Sequence, residues 1–393
     1  MKGYLINGNK EECFGCRACE QICPKRCIQM IEDSEGFLYP SIIKSECIKC
    51  NLCIKVCPKN INQEINNNEI KSYVAWNKDL KVRKESSSGG IFSLLANNVL
   101  DKNGLVSGAT LDNNMNVKHI IISSDKEVYK LRGSKYVQSD LGEIYSEIKE
   151  KLENGKIVLF SGTPCQVAGL KSFLSLFKKV DLKRLYLVDI LCHGVPSSKI
   201  FNKYIKFIEK DNKSKVVDFK FRSKNFNGWS LSVIYEKNKK LNRKKIIPML
   251  SPYYYGFQIN ILHRPSCYKC DYCTYDREGD ITLGDYWGVK KFHSNIKSRL
   301  GVSAVIVNTQ KGENIFDEIS HYIEFEKSKI EYIGEYNKNL IQSSEKHILR
   351  DELYQNIDQL NFEEICEKYL KPKYKIKFWI KDKIPYEIKD KFR

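Results

Sequence analysis

Residues 13–24 read CFGCRACEQICP and residues 47–58 read CIKCNLCIKVCP, two copies of one spacing, C-x2-C-x2-C-x3-C-P. Nine of the chain's 15 cysteines lie before residue 60. The N-terminus, MKGYLINGNKEEC, lacks the apolar core of a secretory signal, so cysteine usage this dense points to metal ligation rather than disulfides. Proline after each fourth cysteine ends the preceding turn and has no N–H to donate, which keeps the chain off a helical continuation. Structural zinc would also need eight cysteines for two sites, but rarely as triplets at this spacing.

The repeat resembles a bacterial-type two-cluster 4Fe-4S ferredoxin. The resemblance implies that three thiolates of one loop cap a cubane whose fourth ligand comes from the other half. Cys13, Cys16, Cys19 and Cys57 would hold one 4Fe-4S cluster; Cys47, Cys50, Cys53 and Cys23 would hold the second. Cys27 fits neither set and reads as a spare thiol.

Working outward, 393 residues with 42% hydrophobic content leave room for two or three domains with real cores. No run approaches the roughly 18 apolar residues of a membrane span, and the expected location is cytoplasmic. The formal charge of +18 is spread thinly, and no nucleic-acid-binding motif accompanies it, so no nucleic-acid partner is expected. Attraction to acidic redox partners is compatible with that charge.

Residues 63–72 lie in a polar, Asn-rich linker. Beyond it, β-rich stretches at 104–111 and 117–123, a helix over 139–154, a strand at 157–161, a helix from 162 to 177 and a buried strand at 185–191 alternate as in an α/β domain with a mixed, partly parallel sheet. Further strands are expected at 216–221, 230–235, 280–283 and 302–307. The reading is an α+β ferredoxin-like domain (1–62), an α/β domain (73–333) and a helical basic extension (334–393).

In open α/β sheets ligands collect beyond the carboxyl ends of strands. Cys165 (SGTPCQ) and Cys192 (LCHGVPS) both follow expected strands, and Cys267, Cys270 and Cys273 form a third C-x2-C-x2-C group too small for a cubane alone. Cys165, Cys192, Cys267 and Cys270 are therefore read as ligands of a third 4Fe-4S cluster, with Cys273 the alternate. The plain alternative is that Cys165 and Cys192 are small buried hydrophobes.

Five ordered motifs, SSSGGIFS (86–93), RGSKYVQSD (132–140), GTPCQVAGLKSFL (162–174), CHGVPS (192–197) and CYKC followed by GDITLGDYWG (267–288), resemble those of the coenzyme F(420) hydrogenase/dehydrogenase beta subunits over roughly residues 73–330. The resemblance to that family implies an FAD-bearing iron-sulfur oxidoreductase. It favours Cys267 and Cys270 as the pair and makes Cys273 the departure.

Residue chemistry agrees with a flavin site of an unusual kind, because neither G-x-G-x-x-G nor a P-loop is present. Ser87, Ser88, Gly89 and Gly90 precede an apolar helix and suit phosphate oxygens, a plain helix cap being the alternative. Arg132, Lys135 and Tyr136 suit a pyrophosphate or anionic flavin, and Gly162 and Thr163 complete the cofactor set. His193, beside Cys192, is the candidate catalytic group, suited to tuning a cluster or passing protons. Asp280, Asp285 and Trp287 are candidate braces. The basic C-terminus, with Tyr374, Phe378 and Trp379, offers a weak peripheral membrane contact, although Pro385 interrupts it. The function expected is electron passage from 4Fe-4S clusters to FAD and on to coenzyme F(420) or another small molecule, such as a sugar-linked one. The alternative is an electron-transfer subunit, docked on a hydrogenase or dehydrogenase or served by a ferredoxin, that has no substrate of its own.

Overall fold

The structure, a computed structural model, describes residues 2–61, 69–225, 228–237, 239–372 and 375–384. Most of the linker read at 63–72 and the last nine residues, with Pro385, lie outside them, as does Tyr374.

The two cysteine loops share a backbone solution. Gly15 and Lys49, and Arg17 and Asn51, occupy matching places in the repeat and all take left-handed φ angles between 56° and 68°. These turns curl each loop back on itself before the short helices Ala18–Gln21 and Leu52–Lys55. Between the loops β1 (Ile28–Glu32) and β2 (Leu38–Ile42) form an antiparallel hairpin.

The next five strands are β3 (Lys71–Asn77), β4 (Leu105–Leu111), β5 (Val117–Ile122), β6 (Val158–Gly162) and β7 (Leu185–Ile190). A separate antiparallel sheet of β8 (Val216–Asn225), β9 (Gly228–Lys237) and β10 (Lys240–Ile246) follows, and β11 (Ile281–Asp285), β12 (Ser303–Val307) and β13 (Ile323–Ser328) complete the set. The main sheet has eight strands in the order β13-β3-β12-β11-β7-β6-β4-β5. Its centre, β11-β7-β6-β4, is parallel, and the outer pairings are antiparallel. The expected mixed sheet is therefore present. The apolar run LYLVDI becomes β7 because it is hydrogen-bonded to a parallel neighbour on each side and covered on its faces.

Two expected helices change their bounds, and the one read from 162 to 177 runs Pro164–Leu174. The helix read from residue 139 begins at Ile144, because Ser139 and Asp140 are held in extended pairing with β5: the Asp140 N–H donates to the Val117 carbonyl, and the His119 N–H to that of Asp140. Its end is as read, at Asn154 before a left-handed Gly155.

The cysteine-rich N-terminal segment packs into the rest of the chain. Cys16, Ala18, Ile22 and Val56 share a core with Tyr145, Leu170 and Phe173 of the helices flanking β6. The segment after residue 334 also packs inward. Leu353, Tyr354, Phe362 and Ile365 join the core around the helix Ser198–Asn212, and Arg350 pairs with Glu35 of the N-terminal hairpin. Position 334 lies inside the helix Ile330–Tyr336. Among the described residues no helix is long and apolar enough to cross a membrane. The helix Lys375–Lys383 leaves Ile376, Trp379 and Ile380 exposed and is tied to β10 by Asp382 and Lys245.

Candidate iron-sulfur and cofactor site

Parallel pairing of β6, β7 and β11 brings their carboxyl ends to one edge of the sheet. Cys165 starts the helix Pro164–Leu174 just beyond β6, Cys192 lies two residues beyond β7, and the loop of Cys267, Cys270 and Cys273 covers them before β11. Burial, reinforced by the neighbouring thiols, pushes Cys165, Cys192 and Cys267 up to about 12. Thiols held protonated in this way ionise where a positive centre supplies the charge that thiolates need. The surroundings also serve sulfur: the Gly194 N–H donates to Cys192 Sγ at 3.5 Å, and the Thr163 hydroxyl lies 3.1 Å from Cys165 Sγ. Cys273 hydrogen-bonds Cys270 and pulls its thiol down.

The N-terminal cysteines divide into an inner and an outer group. Cys16 is buried against Cys13 and Cys57 and feels Cys165 across the interface with the helix Pro164–Leu174. Cys50 is exposed, and Cys53 has Cys50 and Cys47 as neighbours. Cys27 is buried, with its sulfur 3.4 Å from that of Cys23. Among the described residues no three His, Cys, Asp or Glu side chains converge closely enough to hold a single metal ion. Between the inner group and the Cys165 group stand Phe14 and Tyr272, rings 5.2 Å apart and both buried.

The same sheet edge opens into a cavity of about 560 Å³. Its wall carries Cys165, Cys192, Cys267, Cys270 and Cys273 at one side and Ser87, Ser88, Gly90, Arg132, Lys135, Tyr136, Gly162, Thr163 and His193 around the rest. Gly89 is placed behind that wall. Its N–H donates to Ser303 Oγ at 2.9 Å, and a Cβ there would sit 2.4 Å from the Ala75 carbonyl oxygen, so its lack of a side chain serves close packing of two strands.

Several polar groups in the wall already have partners. Ser87 Oγ accepts from the Ser134 N–H, Ser88 Oγ donates to the Val302 carbonyl, and Arg132 pairs with Glu85 and Ser93. Thr163 forms a capping box with Gln166, so its hydroxyl serves the helix and Cys165. Among the described residues Lys135 reaches only main-chain carbonyls, those of Lys130, Leu131 and Arg132, and desolvation, opposed by Asp218, pulls it down to about 7. Tyr136 stacks on Phe257, ring centroids 4.6 Å apart. Burial holds the His193 imidazole below its ordinary value, with Asp285 acting the other way.

Asp280 braces the opposite end of β11 by accepting from the Leu187 N–H and the Thr309 hydroxyl. Asp285 and Trp287 do face the cavity, and Arg222 lies against both, paired with Asp285 and stacked between Trp229 and Trp287. Arg222, His119 and Arg264 also line the cavity and carry no motif that would single them out in sequence, while Gln138, inside RGSKYVQSD, lines it as well. His119, stacked on Phe160, is pulled down to about 4 by burial and is therefore a neutral ring in the wall.

Thiol groups that lead to a cavity wall fit an iron-sulfur protein of the oxidoreductase class. Residues 12–61 match the 4Fe-4S dicluster domain, and residues 72–145 and 155–331 match in turn the N-terminal and C-terminal parts of coenzyme F420 hydrogenase/dehydrogenase, beta subunit. The chain belongs to that family of beta subunits. It is 21% identical over 369 residues to a component of the F(420)H(2) dehydrogenase of Methanosarcina mazei, covering 91% of this chain and 93% of the relative. A chain of the F420-reducing [NiFe] hydrogenase complex from Methanosarcina barkeri is 18% identical, with a TM-score of 0.42 over 78% of this chain and 96% of that one.

Proposed function

We propose that this chain is an iron-sulfur flavoprotein oxidoreductase with three 4Fe-4S sites and one FAD site, serving a two-electron acceptor. Coenzyme F(420), or another small molecule such as a sugar-linked one, is the acceptor. The carrying observation is the continuity of the thiols: an exposed Cys50 group, a buried Cys16 group, and the Cys165 group at the cavity wall. When bound, clusters carry single electrons and a flavin pairs them for a two-electron acceptor.

The chain's own part is ligation, positioning and charge. Thr163 and the Gly194 N–H steady the sulfurs of Cys165 and Cys192. Lys135, short of an anionic partner among the described residues, sits where a phosphate would restore its charge. His193 faces the cavity beside Cys192, placed to pass a proton toward an acceptor.

A redox protein partner fits the outer end. Lys25, Arg26, Lys44, Lys49 and Lys55 surround the Cys47–Cys57 loop, are all exposed, and form no ion pair among the described residues, against one acidic side chain, Glu46, in residues 43–57. An acidic one-electron carrier suits that surface. The second reading, a docked electron-transfer component with no substrate of its own, is favoured by the Methanosarcina mazei relative, which is one component of a larger dehydrogenase.

Iron, acid-labile sulfide and flavin content of anaerobically purified protein test the proposal. About twelve irons and one FAD are expected, falling to about eight irons in Cys192→Ala. About eight irons in both proteins and no flavin would overturn it. Turnover of the isolated chain with a dye donor separates the two readings.

A further inference from the structure

Arg264 is 1% exposed and among the largest fully buried side chains in the protein. A buried guanidinium needs a counter-charge, because desolvating an isolated ion costs several kcal/mol even after relaxation. The other arginines of this region have one: Arg222 faces Asp285, Arg277 faces Asp189 and Arg350 faces Glu35. Arg264 has no carboxylate partner among the described residues. Its Nε donates to the Cys13 carbonyl at 2.7 Å, its two terminal nitrogens to Gln138 Oε1 at 3.0 Å and the Leu38 carbonyl at 2.9 Å, and it lies over the Tyr39 ring at 4.2 Å. All of these acceptors are neutral.

The position explains the missing anion. Arg264 touches the inner thiol loop at Cys13 and at Gly15, where a Cβ would come within 2.9 Å of the guanidinium. Its own carbonyl accepts from the Cys267 N–H at 2.9 Å, three residues on in the loop of the third group. Arg264 thus stands between the Cys13/Cys16/Cys19/Cys57 set and the Cys165/Cys192/Cys267/Cys270 set. A cubane held by four thiolates is an anion, and each electron it accepts makes it more negative.

We infer that Arg264 is the shared counter-charge of the two inner clusters and holds both of their reduction potentials up. The inference rests on the three-cluster reading above. Each reduction is a one-electron gain with no bond made or broken, and a fixed cation nearby stabilises the reduced form more than the oxidised one. Arg264 is a positioning residue: it acts through the clusters and touches no acceptor.

The test is an EPR-monitored redox titration of the anaerobically purified full chain, with Cys192→Ala assigning the wave of the third cluster. Arg264→Met is expected to lower the midpoints of both inner clusters by at least the equivalent of a tenfold change in reduction equilibrium, 59 mV for a one-electron couple. The outer cluster stays in place as an internal control, and Arg264→Lys, which keeps the charge, restores most of the shift. Gln138→Glu covers the case in which Arg264→Met fails to fold: it neutralises the guanidinium within reach of the present hydrogen bond and is expected to lower the same two midpoints. Unmoved inner midpoints in a fully loaded variant, or an equal shift of all three clusters, would overturn the inference. A wild-type protein with only eight irons would instead overturn the three-cluster reading on which it rests.

Discussion

Gly169 sits in the middle of the helix Pro164–Leu174, where an alanine should ordinarily help, since it improves helix propensity by about 1 kcal/mol. The structure reverses that expectation. A Cβ on Gly169 would lie 2.9 Å from Cys16 Cβ, 2.9 Å from the Tyr145 hydroxyl and 3.1 Å from Cys16 Sγ. None of these neighbours yields easily: Cys16 is fixed on a tightly wound loop, and the Tyr145 hydroxyl donates to the Gln166 carbonyl at 2.6 Å. Overpacking of this kind costs about 1–3 kcal/mol, so after the helix gain Gly169→Ala is expected to destabilise the protein by up to about 2 kcal/mol net. It should also push the inner thiol loop away from the helix that carries Cys165. Anaerobic denaturant titration reads the first effect, and the EPR line shape of the inner cluster together with the rate of its electron loss to the cavity side reads the second. A variant more stable than wild type by about 1 kcal/mol, with an unchanged spectrum, would show that this interface is looser than the geometry states and that Gly169 does not set the gap between the thiol groups.

Two further outcomes follow from charge. On the proposed FAD reading a bound phosphate gives back to Lys135, which burial pulls down to about 7, its proton, so binding would take up a proton above that pH; the dissociation constant measured by fluorescence quenching from pH 6 to 9 should rise toward tenfold per unit above about 7, and stay flat in Lys135→Met. Identical slopes in the two proteins would remove Lys135 from the phosphate site. At the outer loop, Lys44→Glu with Lys49→Glu should slow reduction by an acidic one-electron carrier at least tenfold at low ionic strength, with the difference vanishing as salt screens the contact. Equal stopped-flow rates at low salt would move the entry point elsewhere.

The paired thiol loops were legible in the sequence because they are a short-range matter: three thiols at fixed spacing need only a curled loop, and the repeat reappears as the matched left-handed residues 15/49 and 17/51. The central strands were legible for a related reason, since a strand buried on both faces, such as β7, is apolar but for a paired residue such as Asp189, which meets Arg277. Edge strands lack that constraint. In β10 (KLNRKKI) and β13 (IEFEKS) most side chains are exposed, and only pairing with β9 and β3 makes them strands. The SSSGG stretch brings Ser87, Ser88 and Gly90 to the cavity wall, whereas the small size of Gly89 answers to Ala75 and Ser303, more than a dozen and more than two hundred residues away.

What the sequence hid most completely is the electrostatic frame of the site. Arg222 and Arg264 belong to no spacing rule, because each is defined by partners brought together only when β8, the inner thiol loop and the segment before Cys267 meet at one sheet edge. Metal ligands can be written as a local motif, but a buried charge cannot, since its cost and its compensation come from opposite ends of the chain. Arg264 is the clearest instance, with Cys13 and Cys267 as neighbours 254 residues apart in sequence and only neutral oxygens to bond. On the three-cluster reading, the anions that this buried cation lacks would be the clusters on either side of it, marked by a residue that is not itself a ligand.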